Sequence, residues 1–521
     1  MAGSASELMM TLEQLAESLR GKVDVLEHSG NLQVSLSAIT DDSRAVRAGS
    51  LFVAVKGEHV DGHRYLSSAL ASGAAAVVMQ EIIEKIDRPY LRVADSRRAL
   101  GHLGSRFYGD PSGCLRMIGI TGTNGKTTTS YVCKSLLEAV GGRVGLIGTV
   151  AYQIGSEIIP ASHTTPGALE LQQLLKRMVD GGCSAAVMEV SSHALDQDRV
   201  AGTVFECAVF TNLTQDHLDY HGSMASYAQA KAKLFAQAGL QHAVINLDDA
   251  FGRELAMNLL AKDKLKVWAY ALNKTAFQGF EKFGNRLQRI YALDISLSHS
   301  GYDSTFVLDG VGQVDLNIPL LGEFNISNAL AVWTALLTQG FSIAEAGNRI
   351  SQLQPVVGRM ELISFSKHAK AAGLLAVVDY AHTPDALQKT LKALRPIAEQ
   401  RGGKIWCVFG CGGDRDIGKR SQMGTVAQQF ADQIVITSDN PRSENPLQII
   451  QMIREGIKVS SANVQEIPDR AAAILTAIRH ADARDVVLVA GKGHETTQEI
   501  GDKRFDFSDQ EHIRLAAGGL V

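Results

Sequence analysis

Three observations predict an α/β protein of three domains. The chain has 521 residues, several times what one core organises, because domains usually run to about 100–200 residues. Two turn-rich stretches interrupt it, Tyr108-Gly109-Asp110-Pro111-Ser112-Gly113 and Gln354-Pro355-Val356-Val357-Gly358-Arg359. Between and after them, short apolar runs alternate with helical patterns, as βαβ units around a parallel sheet do. The expected domains are residues 1–113, 114–355 and 356–521.

The N-terminal stretch MAGSASELMMTLEQLAESLRG carries acidic residues and no apolar core of signal-peptide length. The second domain opens on the apolar run Leu115–Ile120, followed by Gly122-Thr123-Asn124-Gly125-Lys126-Thr127-Thr128. A strand entering a glycine-rich turn that opens a helix near Lys126 is a phosphate cradle. The glycines let backbone N–H groups approach a polyphosphate, Lys126 supplies a point charge, the Thr127 hydroxyl suits Mg²⁺, and the helix N-terminus adds its dipole. The strict spacing G-x-x-x-x-G-K-S/T is not met, because Ile120 stands where the first glycine would be. The strand-turn-helix context carries the assignment, against a plain glycine-rich βα turn with a solvated lysine.

Further buried strands are expected at Ala185–Val190, Cys207–Asn212 and Ala243–Asn246. From Arg286 to Pro319 the pattern turns to period-two alternation, broken by Ser298-His299-Ser300-Gly301 and Asp309-Gly310-Val311-Gly312, so antiparallel strands are expected at an edge before a helix near Asn325. In the third domain, Leu374–Val378, Ile405–Phe409, Gln433–Ile436 and Val486–Val489 each lead into a polar or glycine-rich loop. Open α/β sheets bind ligands outside the carboxyl ends of their strands, so these loops should converge on one cleft of a Rossmann-like domain.

Lys and Arg number 51 against 55 Asp and Glu. This balance, with no basic stripe carrying aromatics, argues against nucleic acid as a partner. The six cysteines (Cys114, Cys133, Cys183, Cys207, Cys407 and Cys411) lack C-x-x-C spacing and read as buried free thiols of a reducing compartment. No run approaches the roughly 18 apolar residues of a membrane span. A monomeric, cytoplasmic protein without membrane insertion is expected.

Glu189 ends a buried strand beside the phosphate loop, where a carboxylate suits either a metal or a helix N-terminus. His217, among acidic residues, reads from sequence as a surface or capping residue, and Lys231, in Tyr-Ala-Gln-Ala-Lys, as a solvated helix face.

Taken together, Asp42-Ser43-Arg44, the phosphate loop, Thr164-Thr165-Pro166, Glu189-Val190-Ser191-Ser192-His193, Asp216-His217-Leu218-Asp219-Tyr220, Tyr227-Ala228-Gln229-Ala230-Lys231, Gly358-Arg359-Met360-Glu361, Asp379-Tyr380-Ala381-His382-Thr383-Pro384-Asp385 and Asp439-Asn440-Pro441-Arg442 resemble the Mur ligases over nearly the whole chain. These are ATP-dependent amide-forming enzymes of peptidoglycan precursor synthesis. The resemblance is greatest to members that add meso-2,6-diaminopimelate to UDP-MurNAc-L-Ala-D-Glu. It implies an N-terminal sugar-nucleotide domain, a central P-loop ATPase domain with a parallel sheet, and a C-terminal amino-acid-binding domain.

The resemblance also implies residue roles. Lys126, Lys231 and His217 would be catalytic, and Mg²⁺ would be held by Thr127, Glu189, His217 and Lys231, the last carbamylated by CO₂ into an oxygen ligand suited to a hard cation. ATP would meet Gly122, Thr123, Asn124, Gly125, Lys126, Thr127, Thr128, Asn325, Asn328, Arg359 and Asp379. The sugar nucleotide would meet Asp41, Ser43, Glu58, His59, Val60, Thr164, Thr165, Ser191, Gln197 and Arg199, although each Ser or Thr could equally be a local cap. Diaminopimelate would meet Arg415, Asp439, Asn440, Pro441, Arg442, Gly491 and Glu495. Three alternatives stand beside this reading: a lysine-adding ligase, a folylpolyglutamate synthase-like ligase, and a nucleotide-gated binding protein or motor.

Overall fold

The computed structural model describes residues 9–57, 60–82, 86–139, 141–262, 264–298, 301–353, 355–363, 365, 373–458 and 463–518. Glu58, His59, His299, Ser300 and Gln354, used above, lie outside them. The chain forms two compact units. One comprises residues 1–122, 137–209 and 228–243, and the other residues 123–136, 210–227 and 244–521.

In the first unit, a five-stranded sheet has the order Val25–Ser29, Tyr90–Val93, Ala76–Met79, Ser50–Val53, Ala38–Thr40, and only its Val25–Ser29 edge pairs antiparallel. Because successive side chains on a strand point to opposite faces, Leu51 and Val53 join a core with Leu12, Leu15, Leu100 and Leu103, whereas Phe52 packs with Leu66, Ala69 and Met79 on the other face. The same unit holds the parallel strands Arg143–Ile147, Cys183–Glu189 and Arg116–Thr121. Helix Ser96–Phe107 lies so close to the turn at Ala201, after helix Ser192–Asp196, that a Cβ at Gly101 would sit 2.3 Å from the Ala201 carbonyl oxygen, which explains a glycine inside that helix.

In the second unit, Lys266–Ala271 pairs parallel with Leu287–Leu297, and Tyr302–Leu308 and Gly312–Ile318 follow antiparallel, as the alternation predicted. Helix Phe324–Thr338 is buried on nearly all sides. A six-stranded sheet then has the order Glu361–Ile363, Leu375–Asp379, Val486–Ala490, Ile405–Phe409, Gln433–Ile436, Val464–Glu466, parallel except at Glu361–Ile363. Both faces are covered, one by Leu387, Leu391, Leu394, Met423 and Ile450 and the other by Ile474, Ile478 and Ile513, so its strands read as continuous apolar runs. The expected strands of the third domain fall within a residue of those found.

One cysteine departs from expectation. All six are free thiols and five are buried, but Cys114 is exposed. It ends the short 3₁₀ turn Pro111–Cys114 ahead of the strand, so the run of apolar residues begins only after it. No helix among the described residues is long and apolar enough to cross a membrane.

Candidate functional site

The second unit assembles the phosphate loop. Helix Lys126–Glu138 starts at the expected lysine. Gly125 has φ +86°, and a Cβ there would lie 2.5 Å from Asn328 Oδ1, so both backbone and packing require glycine. The Thr123 and Asn124 N–H groups donate to the Asn212 carbonyl (2.8 Å) and to Asn212 Oδ1 (2.9 Å). Asn124 Nδ2 and Thr214 Oγ1 both donate to Asp385 Oδ2, at 2.8 and 3.2 Å. Lys126 Nζ folds back to donate to the Thr123 carbonyl at 2.8 Å.

Arg359 reaches the same loop. Its Nη2 donates to Thr127 Oγ1 at 2.9 Å, and its guanidinium lies 4.4 Å from the Tyr380 ring centroid. Asp379 is buried and accepts from the Met360 N–H (2.8 Å), the Ala381 N–H (3.0 Å) and Thr390 Oγ1 (3.1 Å). Burial raises its carboxyl above the usual range, opposed by Arg359 and these bonds. Asn325 and Asn328 are buried, with Asn328 Nδ2 donating to Asn325 Oδ1 at 2.8 Å. The predicted nucleotide residues of this unit are therefore brought together.

Asp216 shows what surrounds the loop. Burial alone would raise its carboxyl, but His217, His382, Lys419 and Lys126 more than offset this and hold it below the usual range. His217 pairs with it at 3.4 Å and has the left-handed φ of +54°. The His217 ring lies 6.1 Å from that of Tyr227, whose hydroxyl is 3.2 Å from Thr123 Oγ1.

The first unit holds the other assigned residues. Glu189 is fully buried at the end of its strand and accepts from Thr149 through its N–H (2.9 Å) and hydroxyl (3.1 Å). Thr149 Oγ1 is also 3.1 Å from Thr164 Oγ1. Thr165 Oγ1 donates to the Glu189 carbonyl at 2.8 Å, and Ser191 caps the helix Ser192–Asp196, so both hydroxyls serve local structure. Arg199 donates to Gln197 Oε1 through Nε (2.9 Å) and Nη2 (2.6 Å), and to the Thr165 carbonyl through Nη1 (3.0 Å). In the N-terminal sheet region, burial raises the Asp41 carboxyl, Ser43 opens a short 3₁₀ helix and Val60 is exposed.

Lys231 corrects the plain reading of its segment as a solvated helix face. Its side chain is 1% exposed, and Nζ donates to the Gly122 carbonyl at 2.8 Å. The lysines and glutamine of the segment suggest solvent, but the helix turns Lys231 inward on the same face as the buried Tyr227 and Ala228. Among the described residues, no group of three His, Cys, Asp or Glu side chains stands ready for a metal. The expected set relies instead on a hydroxyl and a modified lysine.

The loops at the carboxyl ends of the six-stranded sheet converge as predicted. Asp439 and Asn440 are buried, Arg442 is partly exposed and Arg415 is exposed. Asn440 Nδ2 donates to Glu495 Oε2 at 2.9 Å. Gly491 has φ +116°, and a Cβ there would lie 2.9 Å from Asp439 Oδ2. Arg442 Nε donates to Glu499 Oε2 at 3.0 Å and Nη1 to the Gly413 carbonyl at 2.7 Å. Sequence reasoning missed Lys492 at the centre, fully buried, with Nζ 3.0 Å from Asn440 Oδ1, 2.9 Å from Glu495 Oε2 and 3.7 Å from Asp439 Oδ1. Its signal was a lysine two residues beyond an all-apolar strand, inside Ala-Gly-Lys-Gly-His-Glu. Thr149 and Glu499 were missed as well, and Asp385, part of a quoted motif, was given no role of its own.

Family models match three stretches: Mur ligase family, catalytic domain, at residues 35–108; Mur ligase middle domain at 120–336; and Mur ligase, glutamate ligase domain, at 358–493. The UDP-N-acetylmuramoyl-L-alanyl-D-glutamate–2,6-diaminopimelate ligase of Ralstonia nicotianae is 45% identical over 488 residues, 92% of each chain. Its Pseudomonas aeruginosa counterpart is 44% identical over 483 residues, 92% of this chain and 94% of that one. A solved structure of a ligase of the same name superposes with a TM-score of 0.69 at 34% identity, covering 98% of this chain and 99% of the other.

Proposed function

This chain belongs to the Mur ligase family, and we propose from that premise that it joins 2,6-diaminopimelate, as the meso isomer, to UDP-MurNAc-L-Ala-D-Glu with consumption of ATP. Relatives at 45% and 44% identity over nearly the whole chain bear the name of that reaction, which favours it over the lysine-adding, folylpolyglutamate and motor alternatives. In this reading residues 1–113 bind the sugar nucleotide, 114–355 bind ATP and 356–521 bind the amino acid, in a monomer working in the cytoplasm.

The single geometric observation that carries the ATP chemistry is the hydrogen bond from Arg359 to Thr127, which brings a guanidinium to the hydroxyl beside Lys126. Lys126 and Arg359 would face the phosphates, Asp379 the ribose, and Asn325 and Asn328 the adenine side. The γ-carboxylate of D-glutamate attacks the γ-phosphorus of ATP, giving an acyl phosphate and ADP. The amine of diaminopimelate then attacks the acyl carbon, phosphate leaves, and the amine's proton passes to solvent or a base. Positioning and charge stabilisation do most of this work.

Magnesium fits the donor chemistry of Thr127, Glu189, His217 and Lys231, provided that the Lys231 amine has taken up CO₂ with loss of a proton. The fully buried Glu189 carboxylate and buried Lys231 side chain supply the observation, since a bare ammonium there would repel a cation. When bound, the ion neutralises phosphate charge. Ser43, Val60, Thr164, Thr165, Ser191, Gln197 and Arg199 would hold the sugar nucleotide, with Asp41, Glu58 and His59. Arg415, Asn440, Arg442, Gly491 and Glu495 would hold diaminopimelate, with Asp439 and Pro441 shaping the turn.

The test is phosphate release with Mg-ATP and UDP-MurNAc-L-Ala-D-Glu, compared among meso-diaminopimelate, L-lysine and no amino acid. Release that needs diaminopimelate is the expected result. Equal release with lysine, or release indifferent to any amino acid, overturns the assignment.

A further inference from the structure

The loop Asp439–Arg442 does not hold its own shape. Strand Thr497–Ile500, paired antiparallel with Lys503–Asp506, is docked along it. Gln498 Nε2 donates to the Asp439 carbonyl at 2.8 Å, and the Gly501 N–H donates to the Arg442 carbonyl at 2.7 Å. Between these, Glu499 binds the loop three times. Its N–H donates to Asn440 Oδ1 at 3.0 Å, its carbonyl accepts the Arg442 N–H at 3.1 Å, and its Oε2 accepts from Arg442 Nε at 3.0 Å.

Arg442 needs such support. Its φ of +50° is a left-handed conformation that costs a residue with a side chain, and the surroundings must enforce it. The Glu499 carboxylate also decides which edge of the guanidinium is presented. A guanidinium offers a carboxylate either its Nε–Nη side or its two Nη ends. Glu499 takes Nε, and the Gly413 carbonyl takes one proton of Nη1, which leaves Nη2 and the second Nη1 proton for an incoming anion. The side chains are 27% and 39% exposed for Arg442 and Glu499, so the pair is within reach of a small ligand.

We propose that Glu499 is a positioning residue for amino-acid selection: it orients Arg442 and Asn440 together, so that the guanidinium end meets the far carboxylate of the diamino acid. This rests on the reading of Arg442 as the diaminopimelate anchor. Glu499 itself touches no reacting atom. Its effect belongs in the affinity for the amino acid and in the preference for diaminopimelate over lysine, which lacks that carboxylate, and not in the turnover of bound substrates.

Steady-state kinetics of E499Q, E499A, R442A and the double variant E499Q/R442A test this. E499Q keeps a hydrogen-bond acceptor and E499A removes it. E499Q is expected to raise the KM for diaminopimelate roughly three- to tenfold, and E499A more, with kcat and the KM for ATP nearly unchanged. The diaminopimelate-to-lysine ratio of kcat/KM should fall in step. In the R442A background E499Q should add almost nothing, because the two residues act as one unit. A lower KM in E499Q, or a full additional loss in the double variant, overturns the proposal. If R442A itself leaves the ratio at its wild-type value, the anchor reading fails, and the proposal with it. If R442A collapses the ratio while E499Q leaves it intact, the anchor stands and only the positioning role is wrong.

Discussion

Replacing Lys492 by Met removes the only cation whose ammonium donates to both Asn440 and Glu495 among the described residues. Methionine keeps most of the volume, so the loss is electrostatic. Lys492 is fully buried, and it faces Asp439 and Glu495, whose side chains are 9% and 31% exposed. Removing one partner of a buried ion pair costs about 3–5 kcal/mol, because a charge is left uncompensated. Arg470 still faces Asp439, and Glu495 can recruit water, so the low end, about 3 kcal/mol at neutral pH, is expected. The pH dependence has a definite sign. Burial already holds the Asp439 carboxyl above the usual range, so the folded form binds more protons than the unfolded one in that window and loses stability as pH rises through it. Without Lys492 the carboxyl rises further, and the deficit should shrink on going from pH 7 towards 5, by roughly 1.4 kcal/mol per unit of added shift. Urea unfolding followed by tryptophan fluorescence measures it, with Trp406 buried in a strand of the same sheet. A loss below about 1 kcal/mol at pH 7, or one that grows on acidification, refutes the reasoning.

Two further outcomes concern the phosphate loop. Lys126→Ala should lower kcat at least about a hundredfold while the unfolding midpoint stays close to wild type, since the lysine donates to a loop carbonyl; near-normal turnover would remove the ATP-ligase reading. Strict removal of CO₂ should lower activity reversibly, with bicarbonate restoring it, and Lys231→Ala should be inactive at any bicarbonate concentration. A wild-type rate indifferent to bicarbonate would show that the buried ammonium works unmodified.

Much of the fold was legible because its signals are local. The apolar runs that end at Val378, Phe409, Ile436 and Val489 are buried on both faces, so their composition alone marked them as strands. The antiparallel strands Leu287–Leu297, Tyr302–Leu308 and Gly312–Ile318 were legible from the turn signals between them, although Tyr302–Leu308 is buried on both faces and a register shift between Leu293 and Ser296 interrupts the pairing. The phosphate loop was legible for a stricter reason. Gly125 has a left-handed φ of +86°, and a Cβ there would also press on Asn328 Oδ1, and such constraints leave glycine in the sequence. The turn at Pro111–Cys114 shows the reverse, since nothing in the composition of that segment separates an exposed Cys114 from the buried thiols.

What stayed hidden depends on contacts distant in sequence. Lys231 reads as a surface lysine because a charged side chain is seldom buried, yet it shares a helix face with the buried Tyr227 and Ala228, and the carbonyl that receives it, that of Gly122, lies 109 positions away. Lys492 lies 52 positions from Asn440, and Glu499 lies 57 from Arg442. The buried pair Arg470–Asp509, which also ties down the Ser438 and Ala490 carbonyls, is of the same kind. All three sit at the carboxyl ends of the six-stranded sheet, where peptide carbonyls and acidic side chains concentrate and would repel one another without buried cations. A parallel sheet gathers its loops at that edge whatever their order in the chain. Lys492 meets Glu495 only three positions on, but its approach to Asp439 and the pairing of Arg470 with Asp509 are set by topology, and motif spacing along the sequence carries no trace of them.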